Sequence, residues 1–334
     1  MANILLTNYC NLNCPYCFAG MMMAQKSNNI SMRNFKKAIN YLKRNGEKNV
    51  GILGGEPTLH PNFLELIDYV IKKGLRVQLF TNGIMDKELS KGLARYDSKE
   101  LTILLNLNDK ITYSIKQLNR IESSFENLNN KIGLGYTIYK NDFSLLFHRD
   151  MILRYGLLKQ LRVGLASPIA GPERVDFFNT SDFARLGQLI IDNVEMLEEY
   201  NILINFDCGF HMCLFTTEQL GILVEKSLGF KSVCEPVIDI DLNLNAHHCF
   251  PLTGLFEKPI RDYPDLNELK QYYRKKFEGL KIFGNDGKCL TCKYLERNQC
   301  RGWCIGRIFN SQDGLFEKVR AINDTEETGH ADSI

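Results

Sequence analysis

The chain has 334 residues, 44% of them hydrophobic and 24% charged, which is an ordinary composition for a globular protein with a sizeable core. The net charge of +2 gives no general attraction for nucleic acid or anionic lipid. No apolar run approaches the ~20 residues that span a bilayer. Residues 1–8 also lack the pattern of a signal peptide. Collagen, coiled coil, disorder and a membrane channel are therefore excluded for the whole chain, and a cytoplasmic protein is predicted.

In chain order, residues 1–180 alternate short apolar strands with helical patterns. The predicted strands are 4–6, 50–53, 77–80, 101–105, 132–139 and 161–166. The predicted helices between them are 31–46, 61–74, 86–93, 110–127 and 143–155. Almost wholly apolar strands that alternate with helices indicate a parallel sheet covered by helices, and hence an α/β barrel or part of one. Right-handed crossovers then bring the carboxyl ends of the strands to one rim.

The pattern changes after a long predicted helix at about 181–200. The sequence predicts a barrel domain over 1–180, a linking helix over 181–204, a smaller α+β cysteine-rich domain over 205–310 and a tail over 311–334. Short strands are predicted at 202–206 and 237–243.

Cysteine is the unusual component, with 11 residues in two groups and none between 18 and 207. Clustered thiols in a cytosolic chain of this size indicate metal ligands or catalytic groups rather than disulfides. The first group, Cys10, Cys14 and Cys17, has the spacing C-x3-C-x2-C. Three thiolates can each bind one iron of a [4Fe–4S] cluster and leave the fourth iron open for a reactant.

This loop, with Tyr16 before its last cysteine, resembles the signature of the radical S-adenosylmethionine (SAM) superfamily. The resemblance implies a partial (β/α)6 barrel. It also implies that the open iron chelates SAM, whose reductive cleavage gives a 5′-deoxyadenosyl radical that abstracts a hydrogen atom from the substrate. The alternatives are a zinc site with a fourth ligand from elsewhere in the chain, and thiols that are unrelated to one another.

The resemblance extends to other predicted strand ends. Gly54-Gly55-Glu56-Pro57 resembles the family's GGEP motif, and it implies that open backbone carbonyls and the Glu56 carboxylate accept hydrogen bonds from the SAM ammonium group. Further SAM contacts are expected from residues at the loop and the rim. These residues are Tyr16, Thr81, Asn82, Asn106, Asn108, Gly135, Leu165 and Ala166. Ordinary turn chemistry is the alternative for the asparagines.

The second cysteine group resembles a SPASM domain, which carries two auxiliary [4Fe–4S] clusters. Its members are Cys208, Cys213, Cys234, Cys249, Cys289, Cys292, Cys300 and Cys304. The resemblance implies that Cys213, Cys234, Cys249 and Cys304 hold the first auxiliary cluster, and that Cys289, Cys292 and Cys300 hold the second. One gap is seven residues where the family has five, and no cysteine follows Cys304 in the printed sequence. A single cluster, as in twitch domains, or a zinc knuckle of the last four cysteines are the alternatives.

Cys208 is the spare thiol of that scheme. It is expected to be a further cluster ligand or, as the catalytic alternative, a thiol that returns a hydrogen atom to the substrate, as in radical epimerases.

Taken together, these features predict an oxidoreductase-type radical SAM enzyme that modifies a peptide by crosslinking, epimerisation or oxidation. The expected partners are the peptide, a separate leader-binding protein, because the first strand begins so close to residue 1, and a reductant such as flavodoxin or ferredoxin. Neither nucleic acid nor a membrane is expected. The alternatives are a radical SAM dehydrogenase or rearrangement enzyme acting on a sugar, aminocyclitol or nucleoside, and a non-catalytic metal-binding scaffold.

Overall fold

The structure, a computed structural model, describes residues 1–19, 28–167, 178, 180–229, 232–281, 287–300, 304–311, 315, 318 and 319. Within these ranges the strands are β1 (Ala2–Leu5), β2 (Asn49–Leu53), β3 (Arg76–Thr81), β4 (Leu101–Asn106), β5 (Ile132–Ile138), β6 (Gln160–Leu165), β7 (Leu203–Phe206), β8 (Asp239–Ile240), β9 (Asn245–His247) and β10 (Lys258–Pro259). They form one sheet in the order β10-β9-β8-β1-β2-β3-β4-β5-β6-β7.

Helices connect most of these strands. They are α1 (Met32–Arg44), α2 (Phe63–Lys72), α3 (Lys87–Ala94), α4 (Ile115–Leu128), α5 (Leu146–Tyr155), α6 (Phe183–Glu198), α7 (Thr217–Lys226), α8 (Leu266–Lys281), α9 (Lys293–Glu296) and α10 (Ile305–Ser311). None of the helices in the described ranges combines the length and the apolar character that a membrane crossing needs.

Strands β1 to β7 are parallel, and each pairs with the next strand in the chain. Because every crossover then steps in the same direction, the sheet curls and the strand carboxyl ends meet at one rim. The described strand order is linear, so the barrel is partial. The apolar runs that predicted the strands lie in its core, and β1 is buried along its whole length. The α/β class with a largely parallel sheet is confirmed.

The C-terminal part extends the same sheet. Strand β7 pairs in parallel with β6, and β8 pairs in parallel with the free edge of β1. At this second junction the buried Asn3 Nδ2 donates to Asp239 Oδ1 at 2.7 Å. The sheet thus runs across the boundary predicted between 180 and 205, and the division into domains stays a prediction. Most of the predicted tail, residues 312–314, 316–317 and 320–334, lies outside the described residues.

Candidate active site at the barrel rim

The cysteine loop follows directly on β1, at the rim of the barrel. All three of its thiols are half-buried. The Leu12 amide donates to Cys10 Sγ at 3.4 Å, and Asn108 Nδ2 donates to Cys14 Sγ at 3.6 Å. Asn82 Nδ2 reaches Cys10 Sγ at 4.0 Å. Amide donors aimed at cysteine sulfur stabilise its thiolate form, which is the form that binds metal.

The three thiols are close enough to influence one another electrostatically. Burial, and then the charges of Glu56, Cys14 and Cys17, raises the pKa of the Cys10 thiol to about 11. Burial also raises the pKa of Cys17, with a smaller contribution from Cys14. A bound cation would therefore favour the thiolate forms of Cys10 and Cys17 near neutral pH.

The GGEP segment is joined to the strand that leads into this loop. The Gly55 amide donates to the Thr7 carbonyl at 2.8 Å, and the Glu56 amide donates to the Tyr9 carbonyl at 2.6 Å. A Cβ atom at Gly54 would lie 2.7 Å from the Thr7 carbonyl oxygen, so only glycine permits this approach. The motif thus fixes the position of the cysteine loop through main-chain contacts.

The Glu56 side chain is 0% exposed and accepts hydrogen bonds from the chain itself. Oε1 accepts from Thr58 N at 3.1 Å, Thr58 Oγ1 at 2.5 Å and Thr81 Oγ1 at 2.8 Å, and Oε2 accepts from Asn82 N at 2.8 Å. Its desolvation raises the carboxyl pKa, which these four donors oppose. The carboxylate therefore ties the end of β2 to the end of β3, and its expected role as an acceptor for SAM stays a prediction.

Tyr16 is the residue of the cysteine loop that contacts the segments after β4 and β5. Its hydroxyl donates to Asn108 Oδ1, and its ring packs on Tyr139 with the centroids 5.0 Å apart. The Asn108 amide in turn donates to Tyr113 Oη at 2.7 Å. Asn108 consequently links the loop tyrosine, the Cys14 sulfur and the segment after β4.

The remaining predicted rim residues lie at the ends of β4, β5 and β6. Asn106 is exposed, and a Cβ atom at its register partner Gly135 would lie 2.5 Å from Asn106 Oδ1. Leu165 and Ala166 are buried, and the Ala166 amide donates to the Ile138 carbonyl at 2.8 Å. Their predicted contacts with SAM stay predictions, but all four lie at the rim that carries the cysteine loop.

Four of the eight C-terminal thiols come together at one cavity, whereas the resemblance implied that Cys213 groups with Cys234, Cys249 and Cys304. Cys213, Cys289, Cys292 and Cys300 line one cavity of about 580 Å³. The thiol charges that act on Cys249 are those of Cys234, Cys304 and Cys208. The described residues contain no group of three or more His, Cys, Asp or Glu side chains arranged to hold a single metal ion.

Comparison with known proteins gives a consistent family. Residues 4–134 match the Radical SAM superfamily. The chain is 30% identical over 173 residues to the 7-carboxy-7-deazaguanine synthase of Clostridium acetobutylicum, a match that covers 50% of this chain and 74% of that protein. The chain belongs to the radical SAM superfamily.

A second relative of this radical SAM protein is the antilisterial bacteriocin subtilosin biosynthesis protein AlbA of Bacillus subtilis. It is 38% identical over 99 residues, which cover 29% of this chain but only 22% of AlbA. Among solved structures, Streptococcus suis SuiB bound to its precursor peptide SuiA superposes with a TM-score of 0.65. That likeness covers 91% of this chain and 71% of SuiB at 18% identity, and it shows a shared fold.

The cofactors of the radical SAM family are a [4Fe–4S] cluster and SAM, and the cysteine loop fits the cluster. It offers three thiols on one short segment, with amide donors on two of the sulfurs at 3.4 and 3.6 Å. This donor set suits iron–sulfur ligation. Three thiols match three irons, and they leave the fourth iron without a ligand from this loop.

Several rim residues were not singled out by the sequence. Thr58 and Tyr113 act through Glu56 and Asn108, and Asn11 Oδ1 accepts from Asn82 Nδ2 at 2.7 Å. Thr58 follows the GGEP motif directly, so the sequence could have predicted that it lies close to Glu56. Tyr113 gave no signal, because its role depends on the fold of the segment after β4.

Proposed function

We propose that this protein is a radical SAM enzyme that modifies a peptide. The observation that carries the chemistry is the loop with Cys10, Cys14 and Cys17 at the barrel rim. The residues just before it, Thr7 and Tyr9, accept main-chain hydrogen bonds from the GGEP segment. When bound there, the cluster and SAM supply one-electron cleavage of the sulfonium and hydrogen-atom abstraction from the substrate.

The chain's own residues position and tune this chemistry. Asn82 and Asn108 direct amide donors to the sulfurs of Cys10 and Cys14, which would favour the more negative, reduced form of a cluster held there. Glu56 and Gly54 hold the two strand ends beneath the loop. Tyr16 packs on Tyr139 and donates its hydroxyl hydrogen to Asn108 Oδ1, and these contacts attach the loop to the rim.

A peptide substrate is supported by two of the proteins that this chain resembles. AlbA is named for biosynthesis of a bacteriocin, and SuiB was crystallised with a precursor peptide. We further propose a cytoplasmic location, where thiols stay reduced, with flavodoxin or ferredoxin as the electron donor and a separate protein as the leader-binding partner.

A small-molecule substrate is the second candidate. The match to 7-carboxy-7-deazaguanine synthase favours it, because that match covers 74% of the synthase. The match to AlbA covers only 22% of AlbA. Sugars, aminocyclitols and nucleosides belong to this class.

The chemistry is tested by mixing reconstituted, reduced protein with SAM under anaerobic conditions and measuring 5′-deoxyadenosine. We expect the wild-type protein to form it. Cys14→Ala should abolish its formation and remove about four iron atoms per chain, while the C-terminal iron remains.

Asn13→Ala is the matched control, because Asn13 is an exposed residue of the same loop. It should retain SAM cleavage. Cleavage that survives in Cys14→Ala contradicts the assignment of the site, and its absence from the wild-type protein favours the metal-binding scaffold. Co-expression with short peptides encoded beside the gene, followed by mass spectrometry of each peptide, separates peptide from small-molecule substrates.

A further inference from the structure

A cleft of about 1030 Å³ lies between helix α1 and the outermost strands of the sheet. One wall is formed by α1, and the other by the turn between β8 and β9 and by the residues at the end of β10. None of the described residues that line it belongs to the cysteine loop, the GGEP segment or the C-terminal thiols. The cleft is therefore separate from the candidate active site and from the cavity that holds Cys213.

The two walls are joined at both ends of the cleft. At one end Asn34 Nδ2 donates to the Leu242 carbonyl at 3.1 Å. At the other end Asn45 Nδ2 donates to the Pro264 carbonyl at 3.1 Å, and the Leu266 amide donates to Asn45 Oδ1 at 2.8 Å. These bonds fix the separation of the walls, so the cleft is a feature of the fold and not of side-chain orientation alone.

The walls of the cleft carry positive charge. Among the described residues that line it, Lys37, Lys43, Arg44 and Arg261 are cationic and none is acidic. The whole chain has a net charge of only +2, so this is a local excess. The Arg261 guanidinium lies 3.4 Å from Asp262, but both side chains are exposed and such pairs are weak in water. The cleft thus favours an anionic ligand.

The cations are spread along the cleft. Lys37 and Arg44 are seven residues apart on the same side of α1, which separates their Cα atoms by about 10 Å along the helix axis. Arg261 lies on the opposite wall. A ligand with several negative charges along its length matches this arrangement better than a single phosphate group does.

The uncharged lining of the cleft suits a peptide. Asn40 and Asn243 are exposed, and their side-chain amides can both donate and accept hydrogen bonds, as a peptide main chain requires. Leu244 and Ile260 add aliphatic surface. Single-stranded nucleic acid stacks its bases on exposed aromatic rings, but Tyr41, the aromatic residue in the described lining, is only 2% exposed.

Tyr41 also contributes a polar group without a partner. Its hydroxyl is buried and forms no hydrogen bond with any residue in the described part of the chain. A buried hydroxyl in that state is unfavourable, and a carboxylate held in the cleft would offer it an acceptor.

We propose that this cleft binds an extended segment of a partner polypeptide that is rich in aspartate and glutamate. Lys37 and Arg44 contact its carboxylates from one wall, and Arg261 contacts them from the other. The stretch of α1 from Asn34 to Arg44 is about 15 Å long, the length of about five extended residues. This binding does not depend on the proposed SAM chemistry.

The test measures the binding of a fluorescein-labelled peptide to the reconstituted full-length protein by fluorescence anisotropy. The probe has about eight residues, in which glutamate alternates with alanine, and a matched probe has glutamine in place of glutamate. We expect the acidic probe to bind, and to dissociate as the salt concentration rises, because salt screens exposed charges. Equal affinity for the glutamine probe would overturn the proposal.

Lys37→Ala combined with Arg44→Ala should weaken binding of the acidic probe about tenfold, since two charge pairs are lost. Lys99→Ala combined with Lys116→Ala is the matched control, because it removes the same charge from two exposed positions outside the cleft. The control should bind as the wild-type protein does. Equal weakening in both double variants would mean attraction by overall charge alone and would overturn the proposal.

Arg261→Ala tests the second wall and should weaken binding about threefold. Unchanged affinity in this variant would mean that the peptide is not held between the walls, and would contradict the proposal. Displacement of the probe by inorganic phosphate or by a single-stranded oligonucleotide, at lower concentration than by unlabelled peptide, would contradict it too. SAM cleavage is expected to be the same in every variant, so a failure of this site is distinguishable from a failure of the radical chemistry.

Discussion

The two cysteine regions of this protein are built in opposite ways. In the barrel, three thiols lie within eight residues of one loop, and main-chain hydrogen bonds to Thr7 and Tyr9 attach the neighbouring GGEP segment to the strand before that loop. In the C-terminal part, the eight thiols are drawn from segments up to 96 residues apart, and four of them, Cys213, Cys289, Cys292 and Cys300, meet at one cavity only through the fold. Three thiols on one short loop leave one iron of a [4Fe–4S] cluster open for a reactant. The difference teaches that spacing in the sequence identifies the first region, whereas only the fold shows which thiols of the second region are neighbours.

The largest effect that sharpens this comparison is expected for Gly54→Ala. The added methyl group must displace the Thr7 carbonyl, and this shifts the cysteine loop against the GGEP segment. We expect SAM cleavage to fall about a hundredfold, because small displacements at a reacting centre cost about that much. The rate of 5′-deoxyadenosine formation is the measurement, and the C-terminal iron should be unchanged.

Gly279→Ala serves as its control, since this exposed position in α8 has open space around a Cβ atom. Alanine there should stabilise the helix by up to about 1 kcal/mol and leave the cleavage rate as it is. Equal losses of C-terminal iron and of cleavage in Gly54→Ala would mean that the two regions do not act separately.

The next effect concerns His148, which is buried in α5 with its Nε2 donating to the Leu107 carbonyl at 2.8 Å. Burial lowers its pKa from 6.5 to about 4, so between these values the unfolded chain binds a proton that the folded chain does not. The contribution of His148 to the free energy of unfolding is therefore constant above pH 6.5 and falls as the pH drops from 6.5 to 4. The loss amounts to about 3 kcal/mol by pH 4.

His148→Gln keeps a donor but cannot titrate, so this part of the acid dependence should disappear. Denaturation of both equally loaded proteins across this pH range gives the comparison, because acid effects on the clusters are common to both and cancel in the difference. A parallel acid dependence in the two proteins would count against the assignment.

The smallest of the three effects is expected for Glu56→Gln. Thr58, Thr81 and Asn82 all donate hydrogen bonds to the carboxylate. The NH2 group of glutamine cannot accept a hydrogen bond, so at least one of these bonds is lost. We expect a loss of about 1–3 kcal/mol in the free energy of unfolding and a weaker affinity for SAM. Thr58→Ser keeps the donor hydroxyl and should stay within about 1 kcal/mol of the wild-type protein, so an equal loss in both variants would argue against this role of Glu56.

Much of the barrel could be predicted from the sequence because its strands are continuous apolar runs. The predicted strands at 77–80 and 132–139 correspond to β3 (Arg76–Thr81) and β5 (Ile132–Ile138). The start of α1 followed from Ser31, whose side chain accepts from the Asn34 amide at 3.1 Å. The start of α4 was missed, although the capping box of Ser114 and Gln117 was present in the sequence.

The site was predictable only as far as its residues are close in the sequence. The cysteine loop is local, so its spacing alone identified it. The approach of Cys213 to Cys289 and Cys292 at one cavity depends on how separate segments pack, and no spacing rule encodes it. The buried role of Glu56 was missed for the same reason, since two of its donors, Thr81 and Asn82, come from the following strand end.

The pairing of β1 with β8 has a consequence for the growing polypeptide on the ribosome. One edge of β1 can pair with β2 once about 50 residues have been synthesised. The other edge stays unpaired until Asp239 and Ile240 of β8 have been synthesised. During most of translation the nascent barrel therefore carries an uncovered strand edge next to the cysteine loop, and such edges recruit other chains. Slow synthesis of residues 54–238 would lengthen that exposure and favour aggregation before the sheet is complete.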